Sequence, residues 1–286
     1  MSTHIATANF ELPPAAPQPD RTAPALRWSV RTFVATVWIS AALFAAYILA
    51  GYVGAAVTGH AGDWNDLFPR LYARRSLAAN IGMGLHFALG AVLLLLGPIQ
   101  LFTSIRTRWP RVHRWTGWVY ASAAVVTGLG GTVYILGKGT IGGTAMDVAF
   151  AIYGLLMVVA AAQTVRFAVA RRLEIHRAWA IRLFALAIGS WLYRMDYGFW
   201  MLFAGRTGRT PQFDGPFDLF MLYWFFVPNL IVAEMFIRAR RTTASATAQF
   251  AAAGVLSIAT IFVALGTFFF TWKAWAPVVL ARIAGL

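Results

Sequence analysis

Seven stretches of this chain are apolar for long enough to cross a bilayer, and nothing else in the sequence restricts its fold as strongly. A hydrocarbon core about 30 Å thick takes roughly 20 mostly apolar residues per helical crossing. The stretches at about 32–56, 79–103, 115–136, 145–169, 179–203, 218–237 and 250–272 meet that requirement. Inside lipid every backbone N–H and C=O must be paired within its own segment, so each stretch is expected to be an α-helix. The expected fold class is all-α: a polytopic membrane protein, a seven-helix transmembrane bundle in which spans two to five form a central four-helix unit. Residues 1–27 are rich in Pro and Ala without an apolar run. They read as a disordered cytoplasmic tail ahead of a transmembrane domain at 28–286.

The charges suggest which side is which, because short loops rich in Lys and Arg stay in the cytoplasm. With the N-terminus inside, 15 of the 24 basic residues fall on the inner side and eight outside, Arg194 lying within a span. The C-terminus is then outside. The net charge of +14 is mostly an inner belt. Such a belt meets anionic phospholipid head groups, and no aromatic-interleaved basic tract points to nucleic acid. The connections are short, so a function that needs a soluble domain has no place to sit, and no phosphate-cradling Gly loop is present.

With no cysteine, disulfides, thiolate metal sites, iron–sulfur ligation and covalent haem attachment are excluded. No Ser stands with a His and a carboxylate suggested nearby, so no catalytic nucleophile is apparent. Imidazole is left as the main cofactor-binding side chain, and two of the five histidines fall in near-repeats. "RVHRWTGWVY" at 111–120 and "LEIHRAWAIR" at 173–182 align at an offset of 63 residues. The same offset pairs Gln100 with Gln163 and Arg108 with Arg171. Four polar matches suggest a duplicated helical hairpin, chance similarity of two basic loops being the alternative.

The stretches "LHFALGAVLLLLGPIQ", "RTRWPRVHRWTGWVY" and "RRLEIHRAWAIRLFALAIGSWLYR", covering about residues 80–200, resemble a bacterial multi-pass membrane family called domain of unknown function 2306. The markers are His86 with Gly90 and the Gly97-Pro98 pair, His113-Arg114-Trp115 with Gly117, His176-Arg177, Arg182 and Arg194. The resemblance implies a bacterial inner-membrane protein of this fold and brings no activity with it.

Three candidate sites follow. His86 shares a helix face with Gly82, Gly90, Gly97 and Gln100, which serves either close helix packing or space for a flat cofactor. His113 and His176 start two helices at nearly equal depth, as two axial ligands of one haem iron require. Arg108, Arg114, Arg171 and Arg177 surround those helix N-termini, a setting for a lipid head group, a haem propionate or another anion. Arg194, Asp147 and Asp196 are expected as a buried polar cluster, with Asp147 the natural partner of Arg194. Met195 points away from Arg194 and reads as packing, and His60 lies in a loop. Three functions use these features: a haem b electron-transfer protein on His86, His113 and His176, a transporter or lipid-handling protein, and a membrane scaffold. The first is weakly similar to four-helix cytochromes b, but offers one histidine pair and a singleton where two pairs are usual.

Overall fold

The computed structural model describes residues 23–241 and 244–285, so most of the expected tail lies outside the described residues. Helix α1 (Pro24–Ile48) starts inside the stretch read as tail and runs on through a π-helical turn, Leu49–Gly54, to Val57. Leu26 explains the early start, because it is fully buried against Ala239, Ala252 and Leu256. There follow α2 (Leu77–Leu101), α3 (Pro110–Lys138), α4 (Gly143–Val169), α5 (Leu173–Ala187) and α6 (Gly189–Ala204). Helices α7 (Pro216–Trp224), α8 (Val227–Ala239) and α9 (Ala246–Phe270) come next, and a second π-helical turn joins α9 to α10 (Ala276–Ile283). Proline at the first turn of α1, α3, α7, α8 and α10 starts helices where its missing N–H costs nothing. Among the described residues there is no strand.

Among the described residues six helical runs are long and apolar enough to cross a membrane: Pro24–Val57, Leu77–Leu101, Pro110–Lys138, Gly143–Val169, Pro216–Ala239 and Ala246–Ile283. The stretch expected as one continuous span at 179–203 is two helices, α5 and α6, meeting at Ile188. A Gly-Ser pair is a usual cause of a helix bend, and Gly189-Ser190 stands at this one. The bend has a counterpart. Helices α7 and α8 are interrupted at Phe225 and Phe226, and a Cβ on Gly189 would lie 3.1 Å from the Phe225 carbonyl oxygen. Two interrupted helices therefore meet at their interruptions. Asn229 Nδ2 donates to the same carbonyl at 2.8 Å, satisfying it where the helix is broken.

Around the core, α2 packs on α3, α3 on α4, α4 on α5, and α5 back on α2, which closes the expected four-helix unit. Glycines bring three of these helices to backbone contact. A Cβ on Gly82 or Gly130 would stand 2.7 or 2.6 Å from the other's carbonyl oxygen, and one on Gly128 would stand 3.0 Å from that of Gly154. This is the small-residue packing that replaces the hydrophobic drive where the solvent is lipid. Helices α1 and α9 flank the unit, joined by a hydrogen bond between Thr267 and Ser40. One end of the bundle carries the basic 102–109 and 170–172 connections, and the other carries the longer 58–76 and 205–215 connections.

A candidate histidine pair and buried polar groups

At the basic end, α3 and α5 begin exactly 63 residues apart, and His113 and His176 are each the fourth residue of their helix. Their amides donate to the equivalent carbonyls, Trp109 at 3.1 Å and Arg172 at 2.9 Å. Helices α3 and α5 stand diagonally across the four-helix unit, and the two imidazoles are within electrostatic reach of each other. His176 Nδ1 lies 2.9 Å from the Thr164 carbonyl oxygen of α4. A carbonyl only accepts, so Nδ1 carries the proton and Nε2 keeps its lone pair. His113 Nδ1, by contrast, is buried with no partner. The Tyr120 hydroxyl and Gln163 Oε1 are orphaned in the same way.

The expected arginine ring forms only in part. Arg177 is half-buried and pairs with the exposed Glu174 at 3.1 Å. Arg108, Arg114 and Arg171 are exposed. Their long stems reach solvent from the helix ends, Arg108 over the Trp109 ring and Arg171 from a turn with φ of 56°. Arg106, which sequence reasoning did not single out, is exposed too but stands close to the histidine pair. It acts on His113, and burial followed by the Arg177 guanidinium pushes its own pKa down, Glu174 opposing.

The glycine stripe of α2 is not a cofactor cradle. Gly82 is taken by the α3 backbone, Gly97 by Phe184 and Tyr120, and the space at Gly117 by the Gln100 side chain. Gln100 Nε2 also donates to Thr116 at 2.7 Å. Gly90 alone in the stripe opens on free space, with no atom within 4 Å of a Cβ built there.

Towards the other end, His86 Nδ1 is 3.0 Å from the Thr127 carbonyl oxygen, which again leaves Nε2 with a lone pair. The His86 side chain is half-buried between α2 and α3. Arg194 acts on it electrostatically, donates to the Ser190 carbonyl at 2.9 Å and lies over the Phe44 ring at 5.3 Å. Arg194 makes no ion pair with Asp147. The Asp147 carboxylate instead accepts from the Thr140 amide at 2.7 Å, closing the turn between α3 and α4. Asp196 points to another side of α6 and, among the described residues, makes no hydrogen bond or ion pair. The expected three-residue cluster is thus not assembled. Met195 packs on Gly266, as its position on the helix suggested.

A second network was missed from sequence. Tyr193 donates to the Tyr197 hydroxyl at 3.2 Å, and Tyr197 donates to Asp218 at 2.8 Å. Asp218 is fully buried, also accepts from the Thr210 and Gly215 amides, and has Arg209 at 3.6 Å. The signal was available: one Asp opening an apolar run, "PFDLFMLYW", and two tyrosines at helical i, i+4 spacing.

Residues 83–237 match the family model described as "Predicted membrane protein (DUF2306)". The chain belongs to this family. The matched segment holds His86, His113, His176, Arg194 and Asp218, so the histidine pair and the buried tyrosine–aspartate network lie in the family's own part of the chain. No curated protein and no solved structure matches the chain.

Proposed function

We propose that this family member is an inner-membrane electron-transfer protein that holds one b-type haem between His113 and His176, at the basic end of the four-helix unit. The observation that carries the reading is the pair itself: two imidazoles at one depth on diagonal helices, within electrostatic reach across the unit. Ligating histidines commonly donate their second N–H to a backbone carbonyl, which fixes the tautomer and ring orientation, and His176 makes that bond to Thr164. The donor set suits the group. His113 Nδ1, Tyr120 and Gln163 are polar, buried and unsatisfied by the chain, and such groups call for a partner. Arg106 and Arg177 supply the positive charge that propionates need.

When bound, haem supplies a one-electron carrier whose iron changes oxidation state. The chain supplies ligation, orientation and charge balance. His86 is not part of this site: it faces no second imidazole, and the residue 63 positions on from it is Ala149. The reading includes seven crossings, with α5 and α6 together making the fifth, the basic end in the cytoplasm and the C-terminus outside. Anionic phospholipid meets the exposed Arg108, Arg114 and Arg171.

The test is the visible spectrum of full-length protein purified after expression with ample haem, oxidised and then dithionite-reduced. A Soret band is expected in the wild type and in His86→Ala, and is expected to be lost in His113→Ala and in His176→Ala. A colourless wild type, or colour that depends on His86 and survives loss of the pair, contradicts the assignment.

A further inference from the structure

Arg194 is a half-buried guanidinium on α6 in an apolar bundle, and among the described residues no carboxylate lies within ion-pair distance of it. Ion pairs seen among the described residues use other arginines: Arg177, Arg182, Arg209, Arg238 and Arg282. The carboxylates nearest in sequence or depth are engaged elsewhere or turned away, Asp147 with Thr140, Asp218 with its own donors, and Asp196 on another side of the helix. Arg194 is held in place by the Ser190 carbonyl, one turn back at the bend between α5 and α6, and by the Phe44 ring. A guanidinium so placed costs free energy unless a negative charge meets it.

Its surroundings are those of a binding site. The Tyr52 hydroxyl lies 3.5 Å from that of Tyr47 and within electrostatic reach of Arg194, its ring in the same aromatic group as Phe44. His86 offers an acceptor, Nε2, because Nδ1 is bound to Thr127. Among the described residues the Thr127 hydroxyl is buried without a partner, and one turn on from His86 a Cβ on Gly90 would meet no atom within 4 Å. Phe44, Tyr52 and Phe87 give aromatic walls, the last two with ring centroids 4.2 Å apart.

We propose that Arg194, Tyr52 and His86 form the polar end of an intramembrane site for a small carboxylate, separate from the His113–His176 pair. One guanidinium balances one negative charge, and its planar fork matches the two oxygens of a carboxylate. A doubly charged phosphate would bring a second negative charge with no second cation to meet it. The Tyr52 hydroxyl donates to the bound anion, and His86 Nε2 accepts from a hydroxyl on the same ligand.

The probes are acetate and benzoate, with benzamide as the neutral match in shape, added to full-length protein in detergent while thermal unfolding is followed. Saturating benzoate or acetate is expected to raise the midpoint by about 2–4 °C or more, and benzamide to leave it unchanged. Arg194→Gln is expected to weaken the acid's affinity by roughly tenfold or more. Tyr52→Phe, which removes one hydroxyl and keeps the ring, weakens it less and serves if the arginine variant does not fold. The response is expected to persist in His113→Ala with His176→Ala, so failure of the haem assignment leaves it standing. No shift with either acid, equal shifts with benzoate and benzamide, or unchanged affinity in the folded Arg194→Gln and Tyr52→Phe variants overturns the proposal.

Discussion

Single atoms decide how closely this bundle packs. A methyl group on Gly130 would lie 2.6 Å from the Gly82 carbonyl oxygen, and no side chain is there to yield. Gly130→Ala is therefore expected to destabilise the protein by about 1–3 kcal/mol. Gly254→Ala, which meets no atom within 4 Å, is the control that should leave the midpoint unchanged or slightly raised. Both are read by thermal unfolding in detergent, and equal midpoints would remove the backbone contact from the account. Asp218→Asn is expected to cost about 3 kcal/mol, because an amide cannot accept from all of Tyr197, Thr210 and Gly215 and leaves Arg209 without its counter-charge. Much at this scale was legible in the sequence. The equal depth of His113 and His176 followed from their repeat, and the glycine face of α2 from its spacing. What the glycines face was not legible, because room for a cofactor and room for a neighbouring helix leave the same pattern of small residues. Gly82, Gly97 and Gly117 proved to be room for neighbours, and the partner of Arg194 could not be guessed from depth alone.

At the scale of elements, the helices came from apolar length, but several start earlier than that length suggested, at Pro24, Pro110 and Leu173. The bend at Ile188 did not come from apolar length, which runs unbroken through it, although the Gly-Ser pair marked the place. The same holds for the π-helical turns at Leu49–Gly54 and Thr271–Trp275, which insert an extra residue into otherwise uniform helices. The two halves of the bundle are tied by an ion pair between α5 and α8, Arg182 to Glu234 at 2.7 Å. Arg182→Glu is expected to lower the unfolding midpoint by several degrees, and adding Glu234→Arg to restore at least half of that loss. A double variant no better than the single one would show that the pair does not hold these helices together.

At the scale of the whole molecule, the proposed topology puts the basic connections in the cytoplasm and the longer 58–76 and 205–215 connections outside. The chain has no cysteine, so single-cysteine variants report topology without background. Ser104→Cys is expected to resist an impermeant thiol reagent in intact cells, and Arg206→Cys to react. The reverse pattern would invert the topology. Class and bundle were legible as a whole because the bilayer admits so few solutions. Function was less so, since it rests on which side chains meet across helices. The most direct measurement is therefore the haem content of pure full-length protein against its chain concentration, by extraction and pyridine haemochrome. The account predicts one haem b per chain, falling to none when His113 and His176 are both replaced by Ala. A content of zero, or of two, in the wild type would contradict it.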